Sequence, residues 1–432
     1  MVQEYLALGQ AAGELADGRW MRRGVAVTAE AEVGVGSVPV LTAEEALAEA
    51  SRLAASFAEG AAVRDRERIL PFDQLDQLAA SGLLAVTVPR EFGGAGLPFS
   101  VVAEVIRRIS VADPNIGQIP HSHFVYVNQL RLQGSRAQQR LLFDQVRAGR
   151  SFGNAQSEVG TKHVRDYRTT LTEVGDHWHL NGTKFYCTGA IFADWIPVLT
   201  HLGVDGPMHV AWVDRFAPGV EVIDDWDAVG QRTTASGTVV FTEVEVADRW
   251  ITNYSDTFTG PTTYGAYAQL LHAAIDTGIA RAAIDDAAAF VTTKSRPYPD
   301  AVAIHGIDRA AQDPVVVQAF GEMELAVRGA EALLAEAGRA VDAANEDLTE
   351  ERASAATLAV AAVRASSSQV AVEVASRLFE VAGTRSALSA ESLDRHWRNA
   401  RVHSLHDPAA WKVQHLGRWA VEHLLPPRHG QL

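Results

Sequence analysis

The sequence has little of what marks a secreted, a membrane or a nucleic-acid-binding protein. It contains one cysteine, Cys187, so no disulfide can form within the chain and a reducing cytoplasm is the expected location. No run of eighteen apolar residues occurs, which argues against a membrane span, and the N-terminus lacks the residue order of a signal peptide. Basic residues are also few, since 38 Lys and Arg stand against 53 Asp and Glu, for a formal net charge of −15. That charge argues against nucleic acid and anionic membranes as partners.

What is present is the composition of a globular protein, with 47% hydrophobic and 21% charged residues. The pattern of apolar residues divides the chain into four parts. They are a flexible N-terminal extension (1–41), an N-terminal helical domain (42–150), a domain of short strands (151–255) and a C-terminal helical bundle (256–432).

Local signals support this division. Thr42 and Glu45 form a capping-box pattern that begins the first helix. In the strand domain, strands are predicted at 170–174 and 177–180, and Asn181-Gly182 is typical of a two-residue hairpin turn. Further strands are predicted at 196–201, 208–213, 219–223 and 237–246. Short strands joined by such turns predict a small antiparallel barrel or sandwich.

The C-terminal part carries two apolar seams. Asp313 and Pro314 predict the N-cap and first turn of a long helix, and apolar residues then recur at steps of three and four, as in a coiled coil. The first seam is Phe320, Met323, Val327, Ala330, Leu334, Ala337 and Val341. The second, on a following helix, is Leu358, Ala362, Ala365, Val372 and Phe379. Such a bundle suits both packing within the chain and subunit association.

The densest polar stretch of the chain is Arg395–Pro408. If it is helical, His403 and His406 share one face, and Pro408 limits how far the helix runs. Two histidines that titrate near neutrality beside Asp407 are suited to acid/base chemistry. Two other interpretations stay open, a solvated polar turn and a zinc or iron site, although no HExxH motif or second ligand cluster accompanies it.

The same stretch resembles a known family. Arg398-Asn399-Ala400-Arg401-Val402 is similar to the closing motif of acyl-CoA dehydrogenases, in which some members place a catalytic glutamate where this chain has Asp407. The continuation, His403-x-x-His406-Asp407-Pro408, instead resembles the flavin-dependent monooxygenase branch of that superfamily, which includes dibenzothiophene monooxygenase and sulfur-acquisition oxidoreductases. The resemblance covers roughly residues 42 to 425 and implies an α+β fold, in which a helical domain, an antiparallel β-barrel and a helical bundle follow one another.

The resemblance also implies a flavin site. Phe152–Thr161 and Phe185–Gly189 are similar to the two family segments that line the isoalloxazine ring, so Asn154, Ser157 and Thr188 are expected to supply donors to its N5/O4 edge. Two arginine segments are expected at the flavin phosphate. They are Arg296, which resembles a family arginine that often acts across a subunit boundary, and Gly383-Thr384-Arg385. The family's Phe-Gly motif and most of its glycine run, which seat the adenosine half of FAD, are missing, which favours FMN over FAD.

Three residues are expected at the substrate. The helix that begins near Pro120 faces the substrate side of the flavin in the resembling monooxygenases, which makes His121 and Tyr126 candidate contacts. Trp226 belongs to a segment that resembles the family's Trp-x-x-x-Gly-x-Arg-x-Ser/Thr hairpin, where it either lines the pocket or anchors the barrel.

The resemblance to the monooxygenase branch, together with these residues, favours a two-component monooxygenase. A separate NAD(P)H:flavin reductase would supply FMNH2, oxygen would form a C(4a)-hydroperoxide, and a small organosulfur compound, or an amine, would be oxygenated. His406 would act on the peroxide, with His403 and Asp407 fixing its position and charge. The alternatives are an FAD-dependent acyl-CoA dehydrogenase with Asp407 as base, and a noncatalytic scaffold. The family's homotetramer is the expected assembly.

Overall fold

The computed structural model describes residues 36–163 and 165–430. The expected flexible extension lies largely outside these residues. Its described end, however, is packed, because the Val38 amide donates to the Arg147 carbonyl at 2.8 Å and Leu41 lies against the core. Ordered chain therefore begins before Thr42, and the expectation of flexibility through residue 41 was wrong for this short piece.

Helices make up the N-terminal part. The capping box of Thr42 and Glu45 is confirmed, since the Thr42 hydroxyl accepts from the Glu45 amide and the Glu45 carboxylate accepts from the Thr42 amide. The helices are α1 (Ala43–Ala58), α2 (Ala61–Glu67), α3 (Phe72–Ala80), α4 (Phe99–Ala112), α5 (Pro114–Gln118), α6 (His121–Gln133) and α7 (Arg136–Arg147).

A mixed sheet follows. In the described part of the chain its strands are β1 (Thr170–Val174), β2 (His177–Lys184), β3 (Trp195–Leu202), β4 (Met208–Asp214), β5 (Val220–Ile223), β6 (Thr238–Val246) and β7 (Ile251–Asn253). Their order is β5-β6-β2-β1-β3-β4-β7. All neighbours are antiparallel except β1 and β3, which are parallel. The predicted strands are confirmed, and the expectation of a wholly antiparallel domain needs this one correction.

The predicted turn at Asn181-Gly182 was wrong. Both residues lie inside β2, and the β1–β2 turn is formed by Gly175-Asp176 instead. The pairing of β2 with β6 shifts register between Leu180 and Gly182, which marks a β-bulge. The Asn181 side chain bonds the Glu243 backbone and carboxylate across it. Turn-forming residues also suit bulges, so sequence alone did not separate the two.

The C-terminal bundle is built around one buried helix. Its helices are α8 (Tyr264–Thr293), α9 (Pro299–His305), α10 (Pro314–Glu346), α11 (Glu350–Ala382), α12 (Asp394–His403) and α13 (Ala409–Glu422). Every residue of α8 from Tyr264 to Ala280 is buried, because α4, α10, α11 and α12 all pack against it. A helix that is buried all round carries its polar residues into the core, and those of α8 build the site described below.

The first predicted seam is confirmed. Asp313 caps α10 and Pro314 is its first residue. Met323, Val327, Ala330, Leu334, Ala337 and Val341 are buried, and Phe320 packs partly buried against the same core. This helix therefore follows the simple apolar stripe that its sequence indicates.

The second seam was wrong. Leu358, Ala362, Ala365, Val372 and Phe379 are only half-buried, and the buried face of α11 runs beside them through Ala356, Val360, Val363, Ser367, Ala371, Val374 and Leu378. Because α8, α10, α12 and α13 contact α11 from several sides, its Ala/Ser/Val sequence has no single apolar stripe. By length and composition α11 also meets the criterion for a membrane span. Half of its most apolar stretch is buried in the bundle, and core helices meet that criterion too.

Candidate active site

Four histidines from three regions of the chain meet beside α8. His272 of α8 lies between the ring of His121 from α6 and the ring of His406, with centroid distances of 3.9 and 3.8 Å. The Nδ1 of His272 lies 3.0 Å from the Nε2 of His403. His121, His272 and His403 are buried, whereas the His406 side chain is 45% exposed. The cluster therefore has a closed interior and one histidine at its surface.

A network of buried charged residues packs against the histidine cluster. Asp276, one turn after His272 on α8, accepts from the Nδ1 of His403 at 2.6 Å, and its other oxygen pairs with Arg364 of α11. Arg364 also reaches Asp407 at 3.3 Å, and Lys412 lies 2.8 Å from the same carboxylate. Burial disfavours ionisation of Asp407, but the neighbouring His406 and the charges of Arg364 and Lys412 outweigh it and hold its pKa well below the usual range.

Burial keeps the interior histidines neutral. It lowers the pKa of His121 to about 3, against the opposing effect of a hydrogen bond to the Ala268 carbonyl. It also holds the pKa of His272 well below 6.5, and the neighbouring histidines and Arg364 act in the same direction. Desolvation outweighs the attraction of Asp276 for a proton on His403, so the pKa of His403 is lowered as well. Neutral imidazoles have one donor and one acceptor nitrogen each. Both nitrogens of His403 have partners, whereas the Nε2 of His272 has none in the described structure.

The two candidate catalytic histidines, His403 and His406, do not share a helix face, contrary to the prediction. α12 ends at His403, and His406 follows in a turn in which its amide donates to the His403 carbonyl at 3.1 Å. The helix therefore stops ahead of Pro408, which instead precedes α13. The turn still brings His406 to within 3.6 Å of Asp407, measured from Nδ1 to Oδ1. His403 reaches the cluster through His272 rather than by contact with His406.

The other polar residues of Arg395–Pro408 make structural contacts. Arg395 and His396 both bind Asp286 of α8, at 2.5 and 2.8 Å. Arg398 pairs with Asp65 of α2 at 2.5 Å. In the described part of the chain, no group of three or more His, Cys, Asp or Glu side chains is arranged to hold a metal ion. The stretch is thus neither a solvated turn nor a visible ligand set.

Asn154, Ser157 and Thr188 lie in the segments that lead into and out of the sheet. The Asn154 side chain donates to the Tyr186 carbonyl at 3.3 Å, and Ser157 bridges to Phe185, so the two predicted segments lie side by side. The hydroxyl of Thr188 is 2.6 Å from that of Ser236, which is 2.8 Å from that of Thr234. The fold therefore brings these three residues to one edge of the sheet.

A short loop connects this edge to the helix of the histidine cluster. The Thr234 hydroxyl donates to the Gln231 carbonyl, and the Gln231 amide donates to the Asn399 side chain of α12 at 2.7 Å. Gly230 permits the approach, since a Cβ at this position would lie 2.0 Å from the Arg398 carbonyl oxygen. Hydrogen bonds thus run from the Thr188 hydroxyl to α12, four residues before His403.

The two predicted phosphate-binding segments meet at one end of the bundle. Arg296 follows the end of α8 and is exposed, and the described residues provide no hydrogen bond or ion pair for it. Gly383, Thr384 and Arg385 are likewise exposed after α11. They lie beside it because the Ser295 hydroxyl donates to the Ala382 carbonyl at 3.0 Å and Arg385 reaches the Lys294 carbonyl at 3.5 Å.

The three predicted substrate residues lie in different parts of the structure. His121 joins the histidine cluster. Tyr126, on the other side of α6, is buried in an apolar cluster against Trp212 with 6.0 Å between ring centroids, so it packs the helix on the sheet. Trp226 donates to the Gln231 carbonyl and lies 6.1 Å from the Tyr186 ring, beside Asn154 and Thr188.

Three residues of the site were not predicted from the sequence, namely His272, Asp276 and Arg364. His272 and Asp276 are four residues apart in the buried, largely apolar first half of α8, a spacing that places two titratable groups on one buried face. That signal was available. Nothing local marks Arg364, whose partners are 88 and 43 residues away along the chain.

Comparison with known proteins decides the family. Residues 42–150, 151–244 and 270–410 match the N-terminal, middle and C-terminal domains of acyl-CoA dehydrogenases. The chain is 33% identical over 396 residues to a dibenzothiophene monooxygenase of Rhodococcus qingshengii, covering 88% of this chain and 94% of that one. The chain belongs to the acyl-CoA dehydrogenase superfamily.

Its relatives specify the branch. A probable FMNH2-dependent monooxygenase of Pseudomonas putida, SfnC, is 30% identical over 88% of this chain and 96% of its own. The crystal structure of FMN-bound TdsC from Paenibacillus sp. A11-2 superposes with a TM-score of 0.85 at 32% identity, covering 90% of this chain and all of that one. The protein is a flavin-dependent monooxygenase of this superfamily, as its closing motif predicts.

The buried histidines of this monooxygenase predict a loss of stability in mild acid. His121 and His123 have folded-state pKa values of about 3 and about 4, below the value of about 6.5 in an unfolded chain. The unfolded state therefore binds more protons between those values, so this stabilisation is complete above pH 6.5 and is lost as the pH falls towards the folded values. The free energy of unfolding should fall by roughly 1.4 kcal/mol per pH unit for each histidine between pH 6 and 5.

Urea denaturation at pH 7, 6 and 5 measures this slope. His123→Gln should remove one histidine's share of it, while His305→Gln, an exposed residue at the end of α9, should leave it unchanged. Equal stability at pH 7 and pH 5 would contradict the prediction.

Proposed function

We propose that the protein is the oxygenase of a two-component system that uses FMN supplied as FMNH2 by a separate NAD(P)H:flavin reductase. Bound reduced FMN would supply the oxygen chemistry, as a C(4a)-hydroperoxide formed with O2. The substrate is a small organosulfur compound, and a small amine is the close variant. The observation that carries this proposal is the half-exposed His406 beside a neutral, buried histidine cluster. Hydrogen bonds link α12, the helix that ends at His403, to hydroxyl groups that suit a flavin edge.

The residues fit FMN. Asn154, Ser157 and Thr188 offer amide and hydroxyl groups of the kind that an anionic reduced flavin needs at N5 and O4. Nearby, both polar atoms of the Gln231 side chain and the hydroxyl of Thr233 are buried without a hydrogen-bond partner in the described structure. Arg296, beside Gly383-Thr384-Arg385, is an unpaired guanidinium of the kind that binds phosphate. The FMN-bound structural relative and the FMNH2-dependent one support the choice of FMN.

His406 is the proposed acid/base residue. It combines access to solvent and ligand with a carboxylate, Asp407, that is held ionised at 3.6 Å. His403 and Asp407 are interior partners that fix its position and charge. His121 and Trp226 are proposed to contact the substrate. Tyr126, which was grouped with them, is better described as core.

Asp407 is poorly suited to the alternative role of an acyl-CoA dehydrogenase base. It is 6% exposed, and Arg364 and Lys412 occupy its oxygens. A base must take up a proton near the working pH, whereas these charges hold the pKa of Asp407 far below it. The dibenzothiophene monooxygenase relative also favours oxygenation of an organosulfur compound.

An anaerobic titration with FMNH2, followed by stopped-flow mixing with oxygen, tests the proposal. We expect tight binding and a long-lived absorbance band of a flavin C(4a)-hydroperoxide, which should decay faster with an organosulfur substrate present. If FMNH2 does not bind, while FAD copurifies and is bleached by an acyl-CoA, the dehydrogenase alternative is correct.

Arg296→Ala should weaken FMN binding. Removing a charge-assisted hydrogen bond costs about 1.5–3 kcal/mol, which corresponds to a roughly 10- to 100-fold higher Kd. Isothermal titration with FMN measures it. Arg309→Ala removes an exposed arginine of the same bundle and should leave the Kd unchanged. Equal affinity in both variants would remove Arg296 from the phosphate site.

We also propose that the chain forms homotetramers in the cytoplasm. Apolar side chains that the single chain leaves exposed support association, namely Trp411, Val413, Val421, Leu424 and Leu425 in α13 and the tail, together with the half-buried second seam of α11. Exposed apolar groups on this scale usually mark an interface. We likewise propose that the domain boundaries lie at residues 150 and 255, between the N-terminal helical domain, the strand domain and the C-terminal bundle.

A further inference from the structure

The contacts of Asp276, His403 and His272 dictate where the protons lie. A carboxylate only accepts hydrogen bonds, so the 2.6 Å contact with Asp276 requires a proton on the Nδ1 of His403. In a neutral His403 the Nε2 then carries a lone pair. The 3.0 Å contact between this nitrogen and the Nδ1 of His272 therefore places the His272 proton on Nδ1. The Nε2 of His272 is left as an acceptor.

This acceptor nitrogen is buried and has no partner in the described structure. An unsatisfied buried polar group is costly, so a donor is expected near it. Two rings contact His272. His121 stacks on it, with 3.9 Å between centroids, and His406 lies at 3.8 Å with its ring tilted by 42°. The Nε2 of His121 must carry its proton, because it bonds the Ala268 carbonyl at 2.9 Å, and its other nitrogen is then an acceptor too. Of these two neighbours, His406 is the one whose ring N–H is not committed to a carbonyl, since its Nδ1 lies 3.6 Å from the Asp407 carboxylate and its Nε2 is left to donate.

We propose that Asp276 is a positioning residue, which acts through His403 to hold the Nε2 of His272 as an acceptor for an N–H of His406. Arg364 aims the carboxylate of Asp276 from the opposite side. This series of hydrogen bonds from Asp276 through His403 to His272, here called the relay, would draw His406 towards the cluster. It would also set which nitrogen of His406 faces the reacting atoms. This inference rests on the proposed role of His406 and extends that role to a carboxylate and a histidine that the sequence analysis did not single out.

Asp276→Asn tests the relay because an amide can donate where the carboxylate accepts. The His403 proton then moves to Nε2, and His272 must accept at Nδ1 and donate at Nε2, which opposes an N–H of His406. Nitrogen-15 NMR of histidine-labelled, flavin-free protein distinguishes protonated from unprotonated ring nitrogens, with assignments from single His→Gln variants. We expect an unprotonated Nε2 on His272 in the unaltered protein and a protonated one in Asp276→Asn.

Product formed per oxygen consumed gives a second readout. Reversal of a tautomer in a comparable carboxylate–histidine pair of a protease lowers kcat by about 10⁴, and we expect at least a 100-fold loss of product here, with the Kd for FMN unchanged. Asp276→Glu, which keeps the carboxylate, should restore the tautomers and part of the product yield. Asp113→Asn is a matched control, because it removes a carboxylate from another buried arginine pair, Arg64–Asp113, and should leave the histidine tautomers unaltered.

The outcomes separate this inference from the proposed function. A protonated Nε2 on His272 in the unaltered protein overturns the relay whatever the enzyme oxidises. Full coupling in Asp276→Asn with reversed tautomers overturns the positioning role. If the tautomers of His272 are as expected but the protein does not bind FMNH2, the relay is supported and the proposed function is wrong.

Discussion

His406→Ala is expected to turn the enzyme from oxygenation to release of hydrogen peroxide. The side chain is 45% exposed, lies 3.6 Å from Asp407 and contacts the His272 ring with 3.8 Å between centroids. Its loss therefore removes the one member of the histidine cluster that reaches the surface. General acid/base groups contribute typically 10²–10⁴-fold. We therefore expect product formation to fall by at least about 100-fold, while oxygen consumption continues and appears as peroxide.

FMN binding should survive the change, because the proposed flavin contacts, Asn154, Ser157, Thr188 and Arg296, are elsewhere. Parallel assays of product, peroxide and oxygen uptake, with an equilibrium titration of FMN, measure both effects. His423→Ala, an exposed histidine at the end of α13, is the matched control and should couple normally. Unchanged coupling in His406→Ala would remove His406 from the mechanism.

Arg364→Met is expected to destabilise the protein by about 3–5 kcal/mol, the usual cost of removing one partner from a buried ion pair. Arg364 is 1% exposed and binds Asp276, Asp407 and the Gln269 side chain. Methionine fills much of the space of the arginine but carries no charge. The buried carboxylate of Asp276 then loses its cationic partner, whereas Asp407 keeps Lys412. The burial of these charges, rather than the loss of packing, is the expected source of the effect.

Urea denaturation at neutral pH measures this loss. Arg377→Met removes a surface arginine from a pair with Glu322 at 2.7 Å and should cost less than about 1 kcal/mol. Adding Asp276→Asn and Asp407→Asn to Arg364→Met removes the uncompensated charges and should recover part of the stability. A single Arg364→Met variant within about 1 kcal/mol of the unaltered protein would contradict the account.

Much of the fold could be predicted from local signals, because each acts within a few residues. The Thr42 capping box, the Asp313-Pro314 helix start, the strands and the seam of α10 all depend on short-range periodicity and hydrogen bonding. The prediction was wrong where one local pattern serves two structures. Asn181-Gly182 suits a turn and a bulge equally, and the Ala-rich α11 has apolar groups on several faces.

For the candidate site, too, local sequence signals predicted some features and not others. The sequence by itself determined the superfamily and its monooxygenase branch, and it pointed to His121, His403, His406 and Asp407, because unusual residues stand close together in short motifs. Only the tertiary structure decided that the three histidines meet around His272, that Asp276 and Arg364 hold His403 and Asp407, and that Tyr126 is core. Burial and charge compensation depend on groups far apart in the chain, and no local pattern records which of them come into contact.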